Sequence, residues 1–183
     1  MKKQILAAFA LLTGLSSFAQ TTNSNSDIVT LNVRLNPIQT LVVNPAQKIV
    51  NIDYVSKNDY AQGVTVPNPD HLTVYSTGGF QVKVKSASAT LQNIAAGSNG
   101  TIASNSINII AEAGSDAVEN GVYTPQPLTG EDKLIVSATT GGVDKKISVS
   151  YKGAGADTYL NNYVAGQNPT VYTTQVTYTI VAQ

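Results

Sequence analysis

The stretch that decides the fold is TVYTTQVTYTIVA, residues 170–182. From Thr174 onward its side chains alternate, with Val176, Tyr178 and Ile180 on one face and polar residues between them. A two-residue period built from β-branched and aromatic residues is typical of a β-strand with one buried face. The pattern predicts a strand that packs one side against a core and shows the other side to water.

Similar segments recur along the chain and are separated by Pro, Gly and Asn. We predict strands over 27–35, 38–43, 49–55, 72–76, 80–85, 107–111, 133–138, 146–151 and 174–182. The glycine-containing turns at 77–79 and 140–142 favour hairpins, because glycine accepts positive φ. Long connections mixed with hairpins favour an all-β fold, an Ig-like Greek-key β-sandwich of about seven to nine antiparallel strands.

Residues 1–19 have the pattern of a secretory signal peptide. Two lysines follow Met1, the run 5–15 is apolar but too short to span a bilayer, and small residues precede a cleavage site after Ala19. We expect a flexible lead over 20–26 and a single domain over 27–183. The mature protein is expected in the periplasm, on the cell surface or outside the cell.

The composition excludes several functional classes. Eleven basic and eleven acidic residues balance each other, so that nothing attracts nucleic acid or an anionic membrane. No transmembrane helix is expected beyond the signal. The chain has no cysteine, and an exported fold of this kind must be held by its core rather than by disulfides.

Residues that carry chemistry are few. His71 is the one histidine, and without cysteine no ordinary zinc site can be completed, so we expect a surface position for it. Glu112, Asp116 and Glu119 share one loop, which is either a solvated acidic loop or an oxygen-ligand site for Ca²⁺. No motif pairs two carboxylates or marks a nucleophile. We therefore predict no catalytic residues, no cofactor, no metal and no enzymatic activity.

Tyrosine is the one enriched residue type with functional potential, with nine copies. Tyr54, Tyr151 and Tyr178 share the phase of core residues. Loop tyrosines can stack on sugar rings or anchor a protein contact, which makes a carbohydrate- or ligand-binding module one interpretation of the chain. The candidate ligand contacts, which fall in or near predicted loops, are Tyr123, Tyr159, Tyr163 and Tyr172.

The organisation of the chain resembles a known family. An exported, cysteine-free chain opens with the alternating DIVTLNVRL (27–35) and closes with Tyr172, Val176, Tyr178 and Ile180. This resembles bacterial surface Ig-like β-sandwiches, in particular fimbrial subunits and the spore-coat-protein-U-like pilins of archaic chaperone–usher systems. Many such pilins carry a disulfide, which this chain lacks. The resemblance implies a non-enzymatic structural or adhesive surface protein whose partners are copies of itself or other pilus subunits.

The resemblance also implies a mechanism. In those pilins the sandwich lacks its last strand, and the N-terminal extension of a neighbour fills the gap by β-strand addition. The candidate donor strand is 28–35, with Val29, Leu31, Val33 and Leu35 as the side chains that fill the gap.

Two alternatives to strand exchange follow from the same residues. In the first, 28–35 is the first strand of its own complete sandwich, which the regular closing strand favours. In the second, the chain is a small outer-membrane barrel of eight strands, which the small apolar belt and missing aromatic girdles disfavour.

Overall fold

The structure, a computed structural model, describes residues 25–95 and 100–183 of the chain. The predicted signal peptide (1–19) and most of the predicted lead lie outside the described residues. The chain divides into two units, of which the first ends at Leu35 and the second runs from Asn36 to Gln183.

The described part of the first unit, residues 25–35, has no regular secondary structure and exposes its apolar side chains. No strand is formed over 27–35. The prediction of a strand at this place in the chain's own sandwich is therefore wrong. Alternation shows that one face can be buried, but a strand also requires a partner for its backbone. The large apolar side chains of this segment are between 77% and 90% exposed: Ile28, Val29, Leu31, Val33 and Leu35.

The second unit is built from short strands and one short helix. Its described strands are β1 (Gln39–Val43), β2 (Thr65–Ser76), β3 (Phe80–Ser86), β4 (Thr90–Asn93), β5 (Thr101–Ala103), β6 (Ile107–Ala113), β7 (Val122–Tyr123), β8 (Gln126–Pro127), β9 (Lys133–Ala138), β10 (Gly142–Gly153), β11 (Tyr172–Thr173) and β12 (Val176–Ala182). The helix α1 spans Lys57–Gln62, and 3-10 turns cover Pro45–Gln47 and Ser104–Ser106. Ser56 caps α1 in a capping box with Asp59.

The strands form two main sheets and one small sheet, all antiparallel. The first main sheet has the order β1-β2-β10-β6-β8, the second has the order β12-β3-β9-β7, and the small sheet is β11-β4-β5. The prediction of an all-β sandwich is confirmed. The strand number exceeds the predicted range because β7, β8 and β11 are only two residues long.

The inward faces of the two main sheets form one hydrophobic core. It includes Val74 of β2, Val82 of β3 and Val149 of β10. On β9, Leu134 is only half-buried, whereas the adjacent Ile135 is fully buried. The β3–β9 ladder has a register shift beside Val82. An irregularity of this kind changes which side chains of a strand face the core.

The prediction of hairpins at 77–79 and 140–142 is wrong. β2 pairs with β1 and β10, whereas β3 pairs with β12 and β9. The turn after Ser76 therefore carries the chain from one main sheet to the other, and the turn between β9 and β10 does the same. The alternation of the flanking strands is identical in both arrangements, because inward residues face the core from either sheet.

The two ends of the sandwich differ in what they carry. At the turn end, Thr77 N donates to Ile38 O at 3.0 Å and Gln183 N donates to Gly79 O at 3.0 Å. The second unit therefore begins and ends at the same end of the sandwich. The far end is where β3 and β10 end, β12 begins and α1 lies against the loop that follows β10.

Ile109, at the centre of β6, tests whether this core holds the fold. The side chain is fully buried. Its truncation in Ile109→Ala removes contacts and leaves a cavity, and we expect a loss of about 2–5 kcal/mol in the free energy of unfolding. The measurement is urea denaturation. The control Val122→Ala, at an exposed position, should change stability by less than about 0.5 kcal/mol; equal effects of the two substitutions would contradict the described core.

Candidate functional site

One edge of the second main sheet is long and unpaired. β12 runs from Val176 to Ala182 and pairs with β3 along its whole length. Within the described residues, no strand pairs with the other side of β12. Such a row of free N–H and C=O groups is a template for an additional strand.

The two edges on the opposite side of the sandwich are short. β7 and β8 have two residues each, and β8 contains Pro127, which has no N–H to donate. Short strands and proline are common ways of preventing a sheet edge from pairing with another chain. The molecule therefore protects these edges and leaves β12 available.

The core is incompletely covered along β12. β1 lies against β12 without pairing with it in the part of the chain that the structure describes. On β3, the next strand inward, Phe80, Val82 and Val84 are completely buried. We call β12 and the half-buried side chains of this region the open edge; these side chains are Leu41, Val43, Val50, Ile52, Val176, Tyr178 and Ile180.

The segment 48–55 lies over the core without joining a sheet. Its exposure alternates, with Val50 and Ile52 packed against the core and Val55 88% exposed. The hydroxyl of Tyr54 donates to Ala154 O at 2.7 Å and anchors the segment at the far end. The prediction of a strand here is wrong, whereas Tyr54, which was predicted to share the phase of core residues, is half-buried. The segment is extended but belongs to no ladder.

A buried polar chain crosses the core beneath the open edge. His71, which is only 2% exposed, places Nδ1 2.9 Å from Gln47 Oε1 and Nε2 3.0 Å from the Tyr151 hydroxyl. The Tyr151 hydroxyl lies 2.6 Å from the hydroxyl of Tyr178 on β12. The prediction of a surface histidine is therefore wrong. A lone histidine gives no sequence signal for burial, because its partners are distant in sequence.

The hydrogen bonds of this chain have one direction. The Gln47 amide nitrogen donates to Pro69 O at 2.9 Å, which leaves Gln47 Oε1 to accept from His71 Nδ1–H. With neutral His71 carrying its proton on Nδ1, Nε2 accepts from the Tyr151 hydroxyl and Tyr151 accepts from the Tyr178 hydroxyl, so that every polar group has a partner. The lowered pKa of His71 favours this neutral form. These hydrogen-bonded side chains connect β2, β10 and β12, and they do so beneath a strand that has a ladder on one side only.

Burial determines the protonation of the groups in this chain. Desolvation lowers the pKa of His71 below its usual 6.5. Burial, together with the neighbouring Tyr151, raises the pKa of Tyr178 well above its usual value. Burial likewise raises the pKa of Tyr54 to about 12, with Tyr159 adding to the effect. The aromatic groups near the open edge are therefore uncharged at neutral pH.

The candidate ligand tyrosines have different environments. Tyr159 is buried and its hydroxyl lies 2.6 Å from Ser106 Oγ. The Tyr172 hydroxyl donates to Asn162 O at 2.7 Å, and Tyr123 is half-buried on β7. Tyr163 is largely exposed. In the described chain none of the four rings stacks on another of the four.

The acidic loop forms no cluster of ligands. Asp116 pairs with Lys145 at 2.7 Å. Among residues 25–95 and 100–183, no group of three histidine or carboxylate side chains is placed to hold a metal ion.

Comparison with known proteins leaves the family open. No protein-family model matches the chain, and no curated protein matches it. In the described ranges no helix has the length and apolar character needed to cross a membrane.

The pH dependence of stability should depend on His71. Because the pKa of His71 is lowered on folding, the unfolded chain binds more protons below pH 6.5. The free energy of unfolding should therefore be highest above pH 6.5 and decrease as the pH falls, by at most about 1.4 kcal/mol per pH unit. Hydrogen bonds from Val55 and Ser115 lower the pKa values of Asp59 and Asp70, respectively, below 3.8. These two carboxylates therefore affect the free energy of unfolding only in stronger acid.

Urea denaturation between pH 5 and pH 8 measures this dependence. The variant His71→Gln should flatten the profile between about pH 5 and pH 6.5, whatever its effect on stability at neutral pH. Since His71 is the one histidine, its NMR titration gives the folded pKa without assignment. An unchanged profile in the variant would show that another group is responsible.

Proposed function

We propose that the protein is an exported structural or adhesive surface subunit that assembles by β-strand addition. Residues 28–35 of one copy add to the open edge of another. One combination of features supports this function: a single chain carries both an exposed alternating apolar segment and a long unpaired edge beside a partly covered core. The predicted signal peptide supports export.

The dimensions of the segment and the edge agree. Four apolar side chains of the donor share one face over seven residues, and β12 offers four positions of one phase over the same seven-residue span, about 20 Å from first to last in a strand. Burial of each aliphatic side chain contributes about 1.5–3 kcal/mol. In the arrangement we propose, the opposed pairs are Val29 with Ala182, Leu31 with Ile180, Val33 with Tyr178, and Leu35 with Val176.

Linear growth favours antiparallel insertion. The second unit of each copy begins at the turn end, so its own donor segment is attached there. A donor antiparallel to β12 enters with Leu35 at the far end, so the copy that supplies it attaches at the far end. A parallel donor would attach its copy at the turn end, where the acceptor's own donor also begins. Only the antiparallel arrangement leaves both ends free for successive subunits.

The linker disfavours self-insertion. Asn36 and Pro37 separate the donor from β1. Proline fixes its own φ near −65° and restricts the preceding residue to extended conformations. A chain with these two residues continues forward more readily than it reverses, so the donor remains available to another copy.

Charge on the buried face of the donor should prevent assembly. Leu31→Asp places a carboxylate among apolar side chains, which is costly without a partner. We expect the multimers of the mature protein to disappear. The matched control Asn32→Asp adds the same charge on the opposite face and should assemble normally. Unboiled and boiled samples on an SDS gel, with size exclusion alongside, measure the outcome.

A chain that begins at Asn36 tests the acceptor separately. It should be monomeric and should bind a synthetic peptide of residues 27–35 in a one-to-one complex that protects it against unfolding. A mature protein that is monomeric at all concentrations, with no peptide binding, would contradict the proposal. That result would favour the ligand-binding module, with the exposed Tyr163 as its first residue to test.

A further inference from the structure

A groove opens at the far end of the sandwich. It has a volume of about 610 Å³ and lies between the start of α1 and the loop after β10. It opens next to Val55, the last residue of the segment 48–55. The groove is lined by Val55, Ser56, Lys57, Tyr60, Ala61, Asp157 and Leu160.

The lining of the groove combines exposed apolar side chains with two charged residues. Val55 is 88% exposed and Leu160 is 57% exposed. Tyr60 contacts Tyr54, with ring centroids 5.2 Å apart, and forms an aromatic wall. No described ion pair involves Lys57 or Asp157. An apolar wall with free charges at its border is typical of a surface that contacts another protein.

We propose that this groove receives residues 36–38 of the next copy in the assembly. The inference rests on the proposed function and specifies its subunit contact. When Leu35 lies opposite Val176, the donor leaves the open edge at the far end. The three residues that follow extend about 10 Å from there, at the same end of the sandwich as the groove.

The chemistry of the entering residues matches the groove. Ile38 exposes 53% of its side chain, and Pro37 before it offers a flat ring of the kind that packs on Tyr60. Arg34 is the one basic residue of 27–35, and Asp157 is the one carboxylate of the groove lining. The occupant is therefore a second copy of this chain.

Docking at the groove would determine the register of the donor. A shift of two residues along β12 keeps the same face of the donor inward, so the alternating pattern alone does not prevent it. A contact outside the ladder at residues 36–38 distinguishes the registers, because a donor shifted by two residues along β12 would move these residues away from the groove.

Pairs of introduced cysteines test the contact, since the natural chain has none. Arg34→Cys with Thr177→Cys should form a disulfide between copies, which reports antiparallel insertion in the proposed register. Arg34→Cys with Val181→Cys reports the parallel alternative. Ile38→Cys with Leu160→Cys, treated with a short bismaleimide, reports the groove contact as a covalent ladder on a denaturing gel.

The matched control for the groove is Ile38→Cys with Val122→Cys. Val122 is 60% exposed, similar to Leu160, but lies on the protected edge β7. A ladder from the Leu160 pair and none from the Val122 pair supports the proposal. Equal ladders from both pairs overturn it.

The remaining outcomes separate the two proposals. If the Arg34–Thr177 pair cross-links and the Ile38–Leu160 pair does not, strand addition stands and the groove contact is overturned. If the full-length protein is monomeric and no pair cross-links, both are overturned. In addition, Leu160→Asp should shorten the ladder of multimers while the variant, begun at Asn36, still binds the 27–35 peptide.

Discussion

The free backbone of β12 is the constraint on which this side of the molecule depends. A strand that is paired on one side only exposes the backbone N–H and C=O groups of its other side to water. The same strand also carries the half-buried side chains of Val176, Tyr178 and Ile180. One added strand would satisfy both deficits, the hydrogen bonds through its backbone and the apolar surface through its side chains. The segment 48–55 fits this view, since it is extended over the core but joins no ladder in the described structure.

The polar chain beneath β12 compensates for the missing ladder. Tyr178 is joined through Tyr151 to His71, and through Gln47 to the backbone at Pro69, so that β12 is held by side chains as well as by β3. In a core made mostly of apolar side chains, these hydrogen bonds hold the four side chains in a defined arrangement. It therefore favours one position of β12.

The sequence was informative about the candidate site where the signal was local. Alternation in the sequence predicts one apolar face over 28–35, formed by Val29, Leu31, Val33 and Leu35. This prediction requires no information about the segment that packs against that face. The sequence did not predict the burial of His71, because its hydrogen-bond partners lie 24 and 80 residues away. The groove at α1 was missed for the same reason, since it is formed by 55–61 together with the loop after β10.

The sequence by itself determined the all-β class, the inward phase of most strands and the apolar face of residues 28–35, because these properties depend on neighbours within a few residues. Only the tertiary structure decided which strands pair. The turns at 77–79 and 140–142 carry hairpin chemistry, yet they join different sheets, since an alternating strand buries the same face in either arrangement. Likewise, 27–35 and 48–55 have strand patterns without ladders, because a ladder depends on a second backbone that the local sequence does not specify.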